Sequence, residues 1–95
     1  MQYLKNYGFS DIEIDWLNDN VTPAIKKELD LEEKLVGANL DYLKDLGLEN
    51  YKEIFYEYYG MFLMDNSAFT EIFNKYDTKD LVDKLEKSIE IFDFL

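Results

Sequence analysis

A chain of 95 residues with 47 % apolar and 17 % aromatic side chains is long enough for one domain around one core, and too rich in rings for disorder. Its 21 acids face ten bases, all lysine, for a net charge of −11, which argues against direct binding of nucleic acid or of anionic lipid. Cysteine and histidine are absent, which removes disulfides, thiolate chemistry, the usual zinc sites and the common general base near neutral pH.

The predicted elements are all helices. The first spans 2–8, and the second spans 11–19 behind Ser10, which stands three residues before Glu13 as a capping box requires. Inside it "DIEIDW" alternates as a strand does, but Ser10 caps it and no second strand exists to pair with it. Trp16 is expected to anchor the core between the first helices. The third helix, 23–29, starts with Thr22 as N-cap and Pro23 in its first turn, where the missing N–H costs nothing. The fourth, 31–46, repeats apolar residues at Leu31, Leu35, Ala38, Tyr42 and Leu46. Gly37 stands inside it, to let a neighbour approach over "VGA", as a glycine tolerated at ~1 kcal/mol against alanine, or as a break in the helix.

The fifth helix, 50–59, sets Tyr51, Ile54, Phe55 and Tyr58 on one face. The sixth, 67–76, does the same with Phe69, Ile72, Phe73 and Tyr76, and the last, 79–93, with Leu81, Leu85, Ile89 and Phe92. Gly8, Gly47 and Gly60 each follow a helical stretch, as C-terminal caps do. The expected fold class is all-α, a compact bundle of five to seven short helices joined by tight turns, with residues 1–95 forming a single domain.

"MQYLKNYGFS" has neither the apolar stretch nor the cleavage pattern of a signal peptide, and no apolar run approaches the roughly 20 residues of a membrane span. The cytoplasm is therefore the expected location. Catalytic equipment is not legible. With 21 acids some pair satisfies any glycosidase-like spacing by chance. "DIEID" imitates the start of a calcium loop, but Trp16 holds the place of its glycine and Thr22 the place of its last glutamate. No phosphate-cradling glycine loop is present. The expectation is a non-enzyme with no cofactor and no metal.

Charge and rings carry the functional reading. Asp83, Glu86, Glu90 and Asp93 step by three, four and three, so one helix would line them in a single column. Glu49, Glu53 and Glu57 form a second column. Tyr56 and Tyr59 point away from the apolar face of their helix and either pack as a second layer against the next helix, Phe69 to Tyr76, or form an interface. Spaced carboxylates imitate the phosphates of a nucleic acid and fit a groove built from lysine and arginine. The expected partner is thus a basic, nucleic-acid-handling protein, inhibited or regulated as phage-encoded blockers of CRISPR or restriction enzymes would do it. The alternative is a structural or self-associating helical-hairpin module, a homodimer through Tyr56 and Tyr59, whose charge serves only solubility.

"LVGANLDYLKDLGLENYKEIF" followed by "YYGMFLMDNSAFTEIFNKY" resembles one helical hairpin repeat of the mitochondrial transcription-termination-factor (mTERF) type. The likeness lies in a helix of apolar spacing, the "YLKDLGL" turn and the "MFLMD" turn, and covers about 40 residues. Members stack such hairpins into a basic superhelix on duplex nucleic acid. This chain has room for at most two hairpins, is acidic and lacks arginine. The resemblance therefore implies hairpin shape, not nucleic-acid binding, and transfers no binding residue.

Overall fold

A computed structural model describes all 95 residues. Six α-helices carry the chain: α1 (Asp11–Asn20), α2 (Pro23–Leu31), α3 (Glu33–Asp45), α4 (Tyr51–Tyr58), α5 (Asn66–Asn74) and α6 (Thr78–Lys87). Three 3₁₀ segments join them, at Gln2–Tyr7, Tyr59–Leu63 and Ile89–Phe94. There is no strand, so the all-α expectation holds. The count does not. Because α4 runs straight into the second 3₁₀ segment, the chain forms eight separate helical stretches, more than the expected five to seven.

The extra stretch comes from the last predicted helix. Ser88 is extended (φ −154°, ψ 111°) and divides 79–93 into α6 and the third 3₁₀ segment. Its hydroxyl donates to the Glu90 carboxylate, a local bond that competes with helix continuation. Ile89 and Ile91 are β-branched, and Glu90 and Asp93 would sit at the negative end of a longer helix. All three effects favour ending α6 at Lys87.

Local signals set several other boundaries. Ser10 Oγ accepts from the Glu13 N–H at 3.2 Å, and Glu13 Oε1 accepts from the Ser10 N–H at 2.8 Å, so the capping box is complete and "DIEIDW" is helical. Asp77 caps α6 through the Asp80 N–H. Gly8 and Gly47 take positive φ (91° and 95°), as left-handed caps. Gly60 does not: it continues the helical path inside the second 3₁₀ segment.

Eighteen buried apolar side chains form one cluster. Its spine is a row of rings that runs through most of the chain. Centroids lie 5.5 Å apart for Phe9–Phe55, 4.9 Å for Phe55–Phe62 and 5.2 Å for Phe62–Phe69. The row continues at 5.2 Å for Phe69–Phe73, 5.5 Å for Phe73–Phe92 and 4.9 Å for Phe92–Tyr58. Edge and tilted contacts of this kind suit the ring quadrupole and add roughly 0.5–1.5 kcal/mol each beyond area burial. Phe55 and Phe62 are therefore core, and Tyr51 and Tyr58 stand half-buried at its edge.

α3 is the central element, and its buried face differs from the expected one. Val36, Gly37, Asn39, Leu40 and Leu43 face inward, while Leu31 and Ala38 are exposed and Leu35, Tyr42 and Leu46 form the rim. Gly37 serves close approach: a Cβ there would lie 2.7 Å from Cζ of Tyr7, whose ring crosses α3 at this point. Asn39 is the only polar side chain in the core. Its Nδ2 donates to the carbonyls of Phe62 and Met64, both at 2.9 Å, and its Oδ1 accepts from Asn66 Nδ2 at 3.0 Å. These carbonyls close the second 3₁₀ segment, where the helical ladder no longer supplies donors.

Replacing Asn39 with leucine keeps the branching of the side chain, adds bulk and strands the carbonyls of Phe62 and Met64. Urea unfolding is expected to show a loss of about 2–4 kcal/mol, and a loss below about 1 kcal/mol would remove Asn39 from its structural role. Gly37→Ala is expected to destabilise by about 1–3 kcal/mol through Tyr7, although alanine is the better helix former. In a Tyr7→Ala background the same change is expected to be neutral or stabilising, and an unchanged penalty there would place the conflict elsewhere.

Candidate partner-binding surface

The two predicted acidic columns belong to elements that meet. The side-chain amide of Asn50, just before α4, donates to the Leu85 carbonyl of α6 at 3.1 Å. Beside it the Glu49 N–H donates to Glu86 Oε2 at 3.4 Å, so the head of one column meets the second member of the other. At the other end of α4 the Tyr58 ring packs on Phe92 of the third 3₁₀ segment. The Tyr58 hydroxyl is held above its ordinary pKa by desolvation first, then by Asp93, Glu90 and Glu57 nearby. Charges from both columns thus act on one phenol.

The break at Ser88 corrects the geometry of the second column. Asp83 and Glu86 stand on α6, whereas Glu90 and Asp93 stand on the following 3₁₀ segment, so no single helix carries all four. Glu90 is tied locally: the Ser88 hydroxyl, then its own backbone N–H, lower its pKa. Asp83 is neutralised by Lys87 at 3.1 Å. The other six, Glu49, Glu53, Glu57, Glu86, Glu90 and Asp93, are exposed with no ammonium within 4.0 Å.

Tyr56 and Tyr59 are both half-buried. Tyr56 lies in the seam between α4 and α1, its ring against Phe9 and Trp16 and its hydroxyl donating to Glu13 Oε2 at 2.8 Å. Glu13 also receives Lys52 at 3.3 Å, so the carboxylate that completes the α1 cap also ties α1 to α4. The Ser10 N–H first, aided by Tyr56 and Lys52, lowers its pKa to about 2. Reciprocally, desolvation and this carboxylate push the Tyr56 phenol well above its usual range.

Sequence reasoning missed this hub, and it misplaced Trp16. The indole is not a core anchor: Trp16 is 49 % exposed, and Ile12, one turn earlier, is 81 % exposed. The signal was present in the spacing. Ile14, Leu17 and Val21 take the buried face of α1, which leaves Ile12 and Trp16 together on another side. With Glu13 and Tyr56 they line an open depression of about 370 Å³. A second depression, about 140 Å³, lies between Tyr76, Leu81, Ile91 and Phe94, with Asp80 and Lys84 paired at its edge. Each depression holds one carboxylate, and no cluster of three or more acids is placed to hold a metal ion. No helix is long and apolar enough to cross a membrane.

No protein-family model, curated protein or solved structure matches this chain.

The depressed pKa of Glu13 fixes a pH window. Its contribution is complete above the usual carboxylate pKa near 4.5 and is lost as pH falls from there towards 2. Glu13→Gln is expected to lower stability by about 1–2 kcal/mol at pH 7. The gap to the wild type should narrow from about pH 4.5 downwards and close only at about pH 2 in urea titrations. A gap that stays constant over that range would show that the charge of Glu13 is immaterial.

Proposed function

We propose that this protein is a non-catalytic, acidic protein-binding module whose α4–α6 flank occupies a basic groove on a nucleic-acid-handling protein. In that position it inhibits or regulates the target by standing where phosphates would stand. A CRISPR or restriction enzyme is the kind of target this reading fits.

One observation carries the proposal: six exposed carboxylates, on and just before α4, on α6 and on the last 3₁₀ segment, are left without a lysine partner, although Lys52 of α4 and Lys84 and Lys87 of α6 pair with other acids. Like charges at helical spacing oppose folding by a few tenths of a kcal/mol per pair. Lysine placed among them would relieve the repulsion, as Lys84 and Lys87 do for Asp80 and Asp83. An unrelieved carboxylate field instead attracts a cationic surface over the Debye length, about 10 Å at 0.1 M salt, and speeds encounter. Grooves that read phosphate are lined with lysine and arginine and bind multivalent anions with steep salt dependence.

The test uses immobilised protein and a cell extract. Captured proteins are expected to elute with moderate salt or with duplex DNA, because the same groove holds both. The quadruple variant Glu49→Lys, Glu57→Lys, Glu86→Lys and Glu90→Lys is expected to keep its helical circular dichroism and lose capture. Capture that survives charge reversal and resists salt would overturn the proposal. A dimer in sedimentation, lost on changing Tyr56 and Tyr59 to serine, would instead favour the self-associating module.

A further inference from the structure

α1 offers solvent a surface of different chemistry from the carboxylate flank. Ile12 and Trp16 stand four residues apart on one helix face, uncovered by any other element except where the Trp16 ring leans on Tyr56 at 5.4 Å between centroids. The depression they line with Glu13 and Tyr56 is open and has only four walls. Sites that hold metabolites bury most of the ligand, which four side chains on an open face do not. An open apolar trough along a helix suits the docking of another helix.

The rim decides what that helix carries. α1 contains Asp11, Glu13, Asp15 and Asp19 and no lysine. Asp11 is paired with Lys5 and Glu13 with Lys52. Asp15 and Asp19 are exposed, have no ammonium within 4.0 Å, and each follows one of the apolar pair by three residues, which sets it alongside. Glu53 of α4 adds charge from the Tyr56 side. A second copy of this chain would bring the same acids face to face, and anionic lipid or nucleic acid would meet the same repulsion. A lysine or arginine, by contrast, finds free carboxylates to pair with and an indole face to lie over.

We propose that the Ile12–Trp16 face of α1 is a docking site for a lysine- or arginine-bearing amphipathic helix of a partner protein, with an apolar side chain of that helix entering the depression. This proposal stands apart from the reading of the α4–α6 flank, since it requires apolar contact as well as charge.

Trp16 is the chain's only tryptophan, so its emission reports on the site directly. The probe is a synthetic helical peptide of leucine and lysine with one apolar face. Two controls accompany it: a scrambled peptide of the same composition without that face, and the same helix with glutamate for lysine. A saturable blue shift of Trp16 is expected with the probe, at least about tenfold tighter than with either control. Ile12→Ser, at a position exposed enough to leave the fold intact, is expected to weaken it by about tenfold or more, as is Asp15→Lys with Asp19→Lys. Absence of a saturable shift overturns the proposal, as does equal affinity for the scrambled peptide or indifference to Ile12→Ser. A blue shift that grows with protein concentration alone, with dimers in sedimentation, overturns it in favour of self-pairing. The quadruple lysine variant of the α4–α6 flank is expected to retain the Ile12-dependent shift, so the two proposals fail separately.

Discussion

The buried amide of Asn39 is the constraint from which the rest of the arrangement follows. An apolar core is tolerant of sliding, because one hydrophobic contact replaces another at similar energy. A buried amide is not tolerant, since each of its polar atoms needs a partner at one distance and angle. Asn39 meets that demand with the Phe62 and Met64 carbonyls and with Asn66, and so fixes where α4 ends, how the chain turns and where α5 starts. Phe62 is thereby held between Phe55 and Phe69, in the middle of the ring row. The far end of that row is Phe92, against which Tyr58 rests, and this contact brings the carboxylates of α4 and of the last segment into one neighbourhood.

What was legible in the sequence was what depends on neighbours along the chain. The Ser10–Glu13 box and the left-handed glycines at 8 and 47 are decided within a few residues, and local rules found them. Gly60 carries the same local signal and takes a different conformation, because the ladder continues through it into the second 3₁₀ segment. The buried face of α3 was hidden for a related reason. Two rows of that helix are apolar, and the inward one contains Gly37 and Asn39, which weaken its hydrophobic signal although both are there for close contact. Ser88 was missed because the apolar stripe Leu81, Leu85, Phe92 continues across the break.

The candidate surfaces were less legible than the fold. The acidic residues were identified by type, and the i, i+4 pairs of Lys84 with Asp80 and Lys87 with Asp83 follow from spacing, but the pairing across helices was not legible, since Lys52 leaves the column on its own helix to reach Glu13 of α1. Glu13 itself looked like half of a cap. Only tertiary structure places Tyr56 and Lys52 on the same carboxylate, because the partners lie 43 and 39 residues away. Trp16 was expected to anchor the core, whereas the spacing of Ile14, Leu17 and Val21 already filled the inward face of its helix.

α4 relates the two proposed surfaces to each other. A helix turns by about 100° per residue, so Lys52 and Tyr56, which reach α1, lie on a different side from Asn50 and Tyr58, which reach α6 and the last segment. Glu49, Glu53 and Glu57 occupy the outward ridge between those sides. Glu53 adds its field to Tyr56 and Glu57 adds its field to Tyr58, so the ridge contributes to both surfaces. A partner covering about 800 Å² of each side, the ordinary size of a specific interface, is large enough to lie across such a ridge. On that geometry the apolar pair on α1 would govern how long a complex lasts, because buried apolar anchors act mainly on dissociation. The carboxylate ridge would govern how fast it forms and how strongly salt opposes it. The sharing of α4 would therefore set the proposed apolar contact on α1 next to the carboxylate ridge of one eight-residue helix.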